Sequence, residues 1–132
     1  MQPKFVEILN SKCVDCFAWT ATTMKKFFGI DVLVRDRTGL SLQKQSKEQI
    51  NKLVMSDVYD FGWDIVDDKP KEKDMIVFET RGLYQVGIML EDNLVGFCNK
   101  LYPINKIKYI HVLRKQRESV KECRPLEDIF TE

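Results

Sequence analysis

The sequence predicts an α+β fold in which N-terminal helices pack on a small antiparallel sheet. Apolar residues recur at helical spacing in the first half of the chain, whereas after Asp74 they recur at every second position. Helices that come first and strands that follow them favour segregated elements over alternating β-α-β units. The 132 residues are enough for one domain with its own core.

The first predicted helix runs from about Asp15 to Phe28. Asp15 is the expected N-cap because its carboxylate can accept hydrogen bonds from unpaired amides in the first turn. Gly29 lies where a helix usually ends in a left-handed residue. The apolar stripe has members at i, i+4, i+7 and i+11: Phe17, Ala21, Met24 and Phe28.

A second, short helix is predicted after Ser46. Ser46 and Gln49 fit a capping box, in which each side chain accepts a hydrogen bond from the other residue's backbone. The expected buried residues of this helix are Ile50, Leu53 and Val54. The stretch from Tyr59 to Asp74 is polar and rich in turn-forming residues, which predicts a connection between helix and sheet.

Four strands are predicted in the second half of the chain: Met75–Phe78, Gln85–Leu90, Leu94–Cys98 and Lys106–Arg114. Glu91–Asn93 is expected to form a hairpin turn, since Asp and Asn tolerate left-handed backbone geometry. Alternation in the second strand predicts Val86, Ile88 and Leu90 on one face and Gln85, Gly87 and Met89 on the other.

The composition is typical of a soluble globular protein, with 44% hydrophobic and 31% charged residues. The formal net charge of +1 gives no general field for polyanions, so nucleic acid is not an expected partner. There is no run of about 18 apolar residues that would predict a membrane span. The first nine residues lack the apolar core of a signal peptide, so we expect a protein made and kept in a reducing cytoplasm, or delivered without its own signal.

The four cysteines include a C-x-x-C pair, Cys13 and Cys16, together with Cys98 and Cys123. Zinc is one interpretation, with Cys98, Cys123 or His111 completing four ligands, but the second closely spaced ligand pair is missing. A thioredoxin-like redox pair lacks the preceding strand. An extracellular disulfide framework is disfavoured by the absent signal peptide. The expected complement is no metal and no cofactor.

Cys16 directly follows the expected N-cap of the first helix. Thiolate is the reactive form of cysteine, and the positive end of a helix stabilises it. A partly exposed Cys16 is therefore a candidate nucleophile. The alternative is a small buried residue, since free cysteine is among the most buried residue types.

Residues 115–132 differ from the rest because they are strongly charged and contain Pro125. We therefore divide the chain into a domain of residues 1–114 and a C-terminal tail of residues 115–132. Such a tail is often disordered. Its apolar residues predict an alternative, a strap that docks on a partner through Leu126, Ile129 and Phe130.

The order of these motifs resembles the NlpC-type cell-wall cysteine peptidases, a compact papain-like family. The resemblance covers about residues 10–114 and rests on four stretches: Asp15-Cys16, Gly29-Ile30, Pro70–Asp74 and Gln85–Leu90 with its return strand. Lys73 stands where the family usually has glycine. The resemblance implies a papain-like NlpC-type fold.

The sub-type that this sequence resembles most is built into the tail tips of long-tailed phages. Its members have a Leu-Tyr pair after the return strand, which is Leu101-Tyr102 here. Their final strand ends in Leu-Arg, which is Leu113-Arg114 here. This resemblance implies a place in the virion tail after synthesis in the host cytoplasm. It also implies contacts with hub or tube proteins, possible peptidoglycan contact, and no membrane insertion.

The family's chemistry is acyl transfer, in which a cysteine attacks, a histidine moves the proton and a third polar residue orients the imidazole. The resemblance places Cys16 at the nucleophile position and Gln85 at the position of the base. Glutamine has no nitrogen that titrates near neutral pH, so Gln85 cannot activate a thiol. The third position falls near Phe97 or Cys98, and neither can orient a base. His111, the only histidine, is expected on the final strand, away from Gln85.

These substitutions predict a non-catalytic structural component of a phage tail tip or baseplate, built on a degenerate NlpC-type fold. One alternative is an active cysteine endopeptidase that cleaves peptidoglycan stem peptides. Its sugar-binding cleft could be lined by Trp19, Trp63 and Tyr84, although such aromatic residues more often belong to a core. The other alternative is a binding module stabilised by zinc at the C-x-x-C pair.

Overall fold

A computed structural model describes residues 7, 11–13, 16–32, 35 and 45–131. The helices with described bounds are α1 at Cys16–Phe28, α2 at Lys47–Asp60 and α3 at Leu126–Phe130. The first two confirm the predicted helices, although α2 is longer than expected. Asp15, the expected N-cap of α1, lies outside the described residues.

The described strands form one antiparallel sheet in the order β1-β6-β2-β3-β4-β5. Their bounds are Trp63–Val66 (β1), Met75–Thr80 (β2), Leu83–Met89 (β3), Leu94–Phe97 (β4), Lys100–Pro103 (β5) and Tyr109–Lys115 (β6). A short 3-10 turn at Ile104–Lys106 precedes β6. The predicted α+β class is therefore confirmed, with a sheet larger than the four predicted strands.

The two faces of the sheet bury different clusters. On the helix face, α1 packs against β3 and β4, and α2 packs against β3 and β1. The main core lies in this layer and includes Phe17, Met24, Val54, Val58, Val86 and Ile88. On the opposite side, called the far face here, a smaller cluster contains Ile76, Met89, Val95 and Val112. The alternation predicted for β3 is thus confirmed.

Both predicted helix boundaries with described residues have their expected hydrogen bonds. Gly29 has a φ of +68°, and its N–H donates to the Lys25 carbonyl at 3.0 Å, which ends α1. At the start of α2, the Gln49 N–H donates to Ser46 Oγ at 3.1 Å. The Ser46 N–H donates to Gln49 Oε1, also at 3.1 Å, which completes the capping box.

Two strands were not predicted, and both lie at the edges of the sheet. β1 occupies part of the stretch assigned to a connection, and it pairs only with β6. Trp63 is 1% exposed whereas Ile65, on the same side of the strand, is 57% exposed, so burial does not follow the alternation of β1. β5 is mostly exposed and pairs only with β4. A strand with one partner and little burial leaves a weak periodic signal.

The C-terminal tail packs back on its own domain. α3 contacts α2, and Ile129 is fully buried. The Val120 N–H donates to the Asp60 carbonyl at 2.9 Å, so the chain before α3 is also attached to the end of α2. We call residues 116–131 the strap. In this structure Ile129 binds its own chain, which corrects the expectation that its side chain is available to a partner.

Candidate functional site

A disulfide joins Cys13 to Cys98, with Cα atoms 5.3 Å apart. Cys13 lies three residues before α1, and Cys98 directly follows β4. The bond therefore ties the entrance of the first helix to the end of the fourth strand. The sequence analysis did not predict this pairing, since it considered only an extracellular disulfide framework.

The same bond changes the zinc interpretation. Zinc binds cysteine as thiolate, and a sulfur in a disulfide cannot serve as one. Cys13 and Cys98 are therefore unavailable as ligands in this structure. Within the part of the chain that is described, no group of three or more His, Cys, Asp or Glu residues could hold a metal ion.

Cys16, the predicted nucleophile, is the first residue of α1 and is half-buried. Its thiol is outside the disulfide, and the residue packs against the main core on the helix face. Cys16 is therefore a partly exposed residue at the positive end of a 13-residue helix. The predicted position at a helix start is confirmed.

Gln85, which the resemblance places at the position of the base, lies on the far face of the sheet. It pairs with Phe78, which packs against the far-face cluster, and directly opposed residues of two antiparallel strands point to the same side. The Phe78 ring contacts that of Phe97 edge-on, with centroids 5.0 Å apart. Gln85 and Phe97 thus share a face opposite to the one that α1 covers, and the fold does not bring Gln85 to the side of Cys16.

His111 lies on β6, as predicted, and is half-buried. It pairs with Val77, a member of the main core, so it belongs to the helix face. β2 separates β6 from β3 in the sheet order. The histidine is therefore separated from Gln85 by one strand and lies on the other face of the sheet, in agreement with the expectation that it lies away from Gln85.

The two tryptophans belong to the core instead of a cleft. Trp19 is 5% exposed and Trp63 is 1% exposed. The Trp19 indole Nε1 donates to Ser11 Oγ at 2.8 Å. A Cβ atom on Gly96 would lie 3.1 Å from the Trp19 ring, so glycine at this position lets α1 approach β4 closely.

Tyr84 has a different environment from the tryptophans. It is half-buried and lines an open surface groove along α2, together with Asn51, Lys52, Met55, Ser56, Tyr59 and Arg124. The Asn51 side chain is used inside the fold, because it accepts from the Tyr84 N–H at 2.8 Å and donates to the Gly82 carbonyl at 2.9 Å. Of the three aromatic residues proposed for a sugar cleft, only Tyr84 reaches a groove.

Two residues of the family-like motifs meet in one ion pair. Asp74 is 2% exposed and accepts from Arg114 Nε at 3.0 Å and from Nη2 at 2.8 Å. Arg114 also donates to Asp68 Oδ2 at 3.1 Å. These hydrogen bonds, the one to Asp74 first, raise the pKa of Arg114 above its usual range. Hydrogen bonds from Lys71 and then Arg114 lower the pKa of Asp68.

Lys73, which precedes this aspartate, adopts a φ of +78°. This left-handed conformation is favourable for glycine and costs energy for other residues. The Lys73 N–H donates to the Met89 carbonyl at 2.9 Å, so the turn is fixed against β3. The backbone therefore explains why glycine would suit this position.

A buried charge cluster holds the strap on α2. Arg35 Nε donates to both Asp57 oxygens at 3.0 and 3.2 Å, and Arg35 Nη1 donates to the Arg124 carbonyl at 2.7 Å. Arg124 Nε in turn donates to Asp60 Oδ2 at 3.0 Å. The sequence reasoning missed this cluster. The sequence does contain one sign of the cluster: Asp57 is a carboxylate on the apolar face of α2, four residues after Leu53.

Lys115 makes a further tie between the end of β6 and the end of α2. Its Nζ donates to the Phe61 carbonyl and, at 3.1 Å, to Ser119 Oγ. Burial, and secondarily the charge of Arg117, lowers the pKa of Lys115. The ammonium group is thus used as a hydrogen-bond donor inside the fold.

The helices in the described part of the chain lack the length and the apolar character that a membrane span requires. The comparisons with known proteins found nothing: no family model, no curated protein and no solved structure matches this chain.

Proposed function

We propose that this chain is a non-catalytic structural module on a degenerate NlpC-type fold, which acts by binding other proteins in a phage tail tip or baseplate. The observation that carries the proposal is the residue at the position of the base. Gln85 cannot titrate, and it lies on the far face while Cys16 packs on the helix face. General acid–base help is worth roughly two to four orders of magnitude in rate.

The turn before β2 supports the family part of the proposal. Lys73 takes a left-handed φ at the position where the family usually has glycine. The next residue, Asp74, binds Arg114 through two hydrogen bonds, and Arg114 closes the motif at the end of the final strand. Two stretches chosen for their similarity to one family are therefore in contact with each other.

The strap supports the binding part of the proposal, with two of the three predicted contact residues still partly exposed. Ile129 is buried against its own chain, whereas Leu126 and Phe130 are half-buried and retain exposed surface. Hub or tube proteins of the same tail would contact these two side chains. Contact with peptidoglycan remains compatible with this arrangement.

The first test is hydrolysis of purified muropeptides by the wild type and by Cys16→Ala, beside an active family member. We expect no turnover by either protein, because no imidazole stands at the position of Gln85. Gln85→His is a matched variant, and we expect it to remain inactive because residue 85 lies on the far face. Wild-type hydrolysis that disappears in Cys16→Ala would contradict the proposal and favour the endopeptidase alternative.

The second test concerns the partner. Leu126→Ser with Phe130→Ser should abolish co-purification with the hub or tube protein of the same phage. Because both side chains are half-buried, we expect a lower melting temperature but a retained cooperative unfolding transition. Glu127→Gln, an exposed change in the same helix, is the control and should retain the partner. Unchanged co-purification of the double variant would exclude the strap as the binding surface.

A further inference from the structure

We propose that Cys13, Cys16 and Cys98 form a thiol–disulfide exchange site, in which Cys16 can displace Cys98 from Cys13. This inference is independent of the proposed function, since it concerns sulfur chemistry at the entrance of α1 and requires no peptide substrate. The cluster consists of the Cys13–Cys98 disulfide and Cys16, whose sulfur is outside that bond.

Cys13 is the shared sulfur of the cluster. It is bonded to Cys98 and lies three residues before Cys16, in the C-x-x-C spacing that allows two cysteines to form a disulfide with each other. Cys16 and Cys98 are therefore two alternative partners for one sulfur. The structure selects Cys98, which is 85 residues away in sequence, over the neighbour in the motif.

Cys16 has the properties of the attacking group. As the first residue of α1 it lies at the positive end of the helix, which favours the thiolate form. It is half-buried and its thiol is outside the disulfide. The disulfide that this thiolate would attack is formed by Cys13, three residues before Cys16 in the chain.

Cys98 has the properties of a releasable partner. It occupies the first position of the two-residue loop that joins β4 to β5, where Phe97 pairs with Lys100. Its φ is +48°, a conformation that glycine or asparagine adopts more readily. The turn itself therefore does not favour cysteine here, and the bond to Cys13 is what its side chain supplies.

The exchange balances without an external oxidant or reductant. The Cys16 thiol loses its proton to solvent, and the thiolate attacks the sulfur of Cys13. The Cys13–Cys16 bond forms as the Cys13–Cys98 bond breaks, and Cys98 leaves as a thiolate that takes a proton from solvent. The cluster holds one disulfide and one thiol both before and after the step.

The two forms differ in what they attach. With Cys13 bonded to Cys98, the β4–β5 hairpin at the edge of the sheet is tied to the entrance of α1. With Cys13 bonded to Cys16, that hairpin keeps only its noncovalent contacts. Exchange would thus release one sheet edge while leaving the redox state unchanged.

The experiment is disulfide mapping of the full oxidised chain, incubated at about pH 8, quenched in acid, alkylated and digested without reduction. We expect the wild type to give both Cys13–Cys98 and Cys13–Cys16 peptides, and to reach this mixture faster as pH rises. Cys16→Ser should give Cys13–Cys98 alone. Cys123→Ser, the matched control, removes the remaining cysteine outside the cluster and should give the wild-type mixture.

Cys98→Ser provides a second route to the same answer, because it should trap the Cys13–Cys16 bond even if the hairpin loosens. Amide hydrogen exchange in β4 and β5 should then be faster than in the oxidised wild type. A wild type that keeps only Cys13–Cys98 at every pH would overturn the proposal. So would a chain with no disulfide, or products in which Cys123 is the new partner.

Discussion

The α1 side and the α2 side of the helical layer are held by different kinds of attachment. At one end, a disulfide ties the entrance of α1 to the end of β4. At the other end, the strap is held on α2 by Ile129 and by the partly exposed Arg124–Asp60 ion pair. The buried Arg35–Asp57 pair supports this attachment, because Arg35 also donates to the Arg124 carbonyl. The first attachment depends on sulfur chemistry, and the second depends on complete pairing of charges. One small domain thus uses two attachments that respond to different conditions.

The energetics of the two attachments also differ. A disulfide stabilises mainly by restricting the unfolded chain, and the effect grows with the length of the closed loop. A buried ion pair gains little net stability, because removing both ions from water opposes their attraction. Loss of one partner is nevertheless harmful, since it leaves a buried charge unpaired. The comparison predicts that the strap is the more sensitive attachment to single substitutions.

The largest expected effect is at Asp57. Its side chain is 1% exposed and that of Arg35 is 8% exposed, so Asp57→Ala leaves a buried guanidinium without its carboxylate. We expect the free energy of unfolding to fall by about 3–5 kcal/mol in urea denaturation. Asp64→Ala breaks the half-exposed pair with Arg117 and should cost below about 1 kcal/mol. Similar losses in the two variants would remove the distinction drawn for the strap.

The next effect is loss of the disulfide. Because the bonded residues are 85 apart in sequence, Cys98→Ser should lower the free energy of unfolding by about 2–4 kcal/mol under oxidising conditions. Dithiothreitol should lower the urea midpoint of the wild type by a similar extent. Dithiothreitol should change the urea midpoint of Cys98→Ser much less. An equal change in both proteins would mean that the Cys13–Cys98 disulfide contributes nothing to stability.

A smaller change is expected at Lys73, which belongs to neither attachment. Lys73→Gly relieves a left-handed backbone and should stabilise the fold by about 0.5–1 kcal/mol. Part of this gain is offset by loss of the contact between Lys73 Nζ and the Phe28 ring, 5.7 Å away. The gain should be the same in oxidised and reduced protein, as measured by urea midpoints. Lys71→Gly is the control and should give no gain, since Lys71 is not left-handed.

The smallest expected effect is on the pH dependence of stability, at Asp68. Its side chain is 42% exposed, in contrast to the buried Asp57. Hydrogen bonds from Lys71 and Arg114 lower the pKa of Asp68 in the folded state relative to the unfolded chain. A lowered carboxyl pKa contributes stability above the unfolded value, and this contribution disappears as pH falls through the folded value. Asp68→Asn should therefore give a slightly shallower loss of stability between about pH 5 and pH 2. Parallel curves for the wild type and the variant would show that the shift has no measurable consequence.

Local patterns predicted much of the fold. The apolar stripe and Gly29 located α1, the Ser46–Gln49 pair located the start of α2, and alternation gave the two faces of β3. The turn at Glu91–Asn93 is confirmed by left-handed Asp92 and Asn93. Each of these signals lies within a few residues of sequence, so it does not depend on distant partners.

Other features needed contacts between distant parts of the chain. β1 and β5 are edge strands of only four residues each, too short for their sequences to show a strong period. Arg35, Asp57 and Arg124 read individually as surface charges, and only the path of the strap puts them in one buried cluster. The helix-start position of Cys16 was predicted, whereas its separation from Gln85 across the sheet follows from strand register.

The sequence by itself determined the α+β class, the extent of α1, the start of α2, and which residues of β3 share a face. These properties follow from local backbone preference and from the periods of helix and strand. Only the tertiary structure decided that Cys13 pairs with Cys98 and that the tail returns to α2. Both outcomes join residues that are far apart in the chain. Pairing of that kind depends on the whole packed arrangement, which no local pattern encodes.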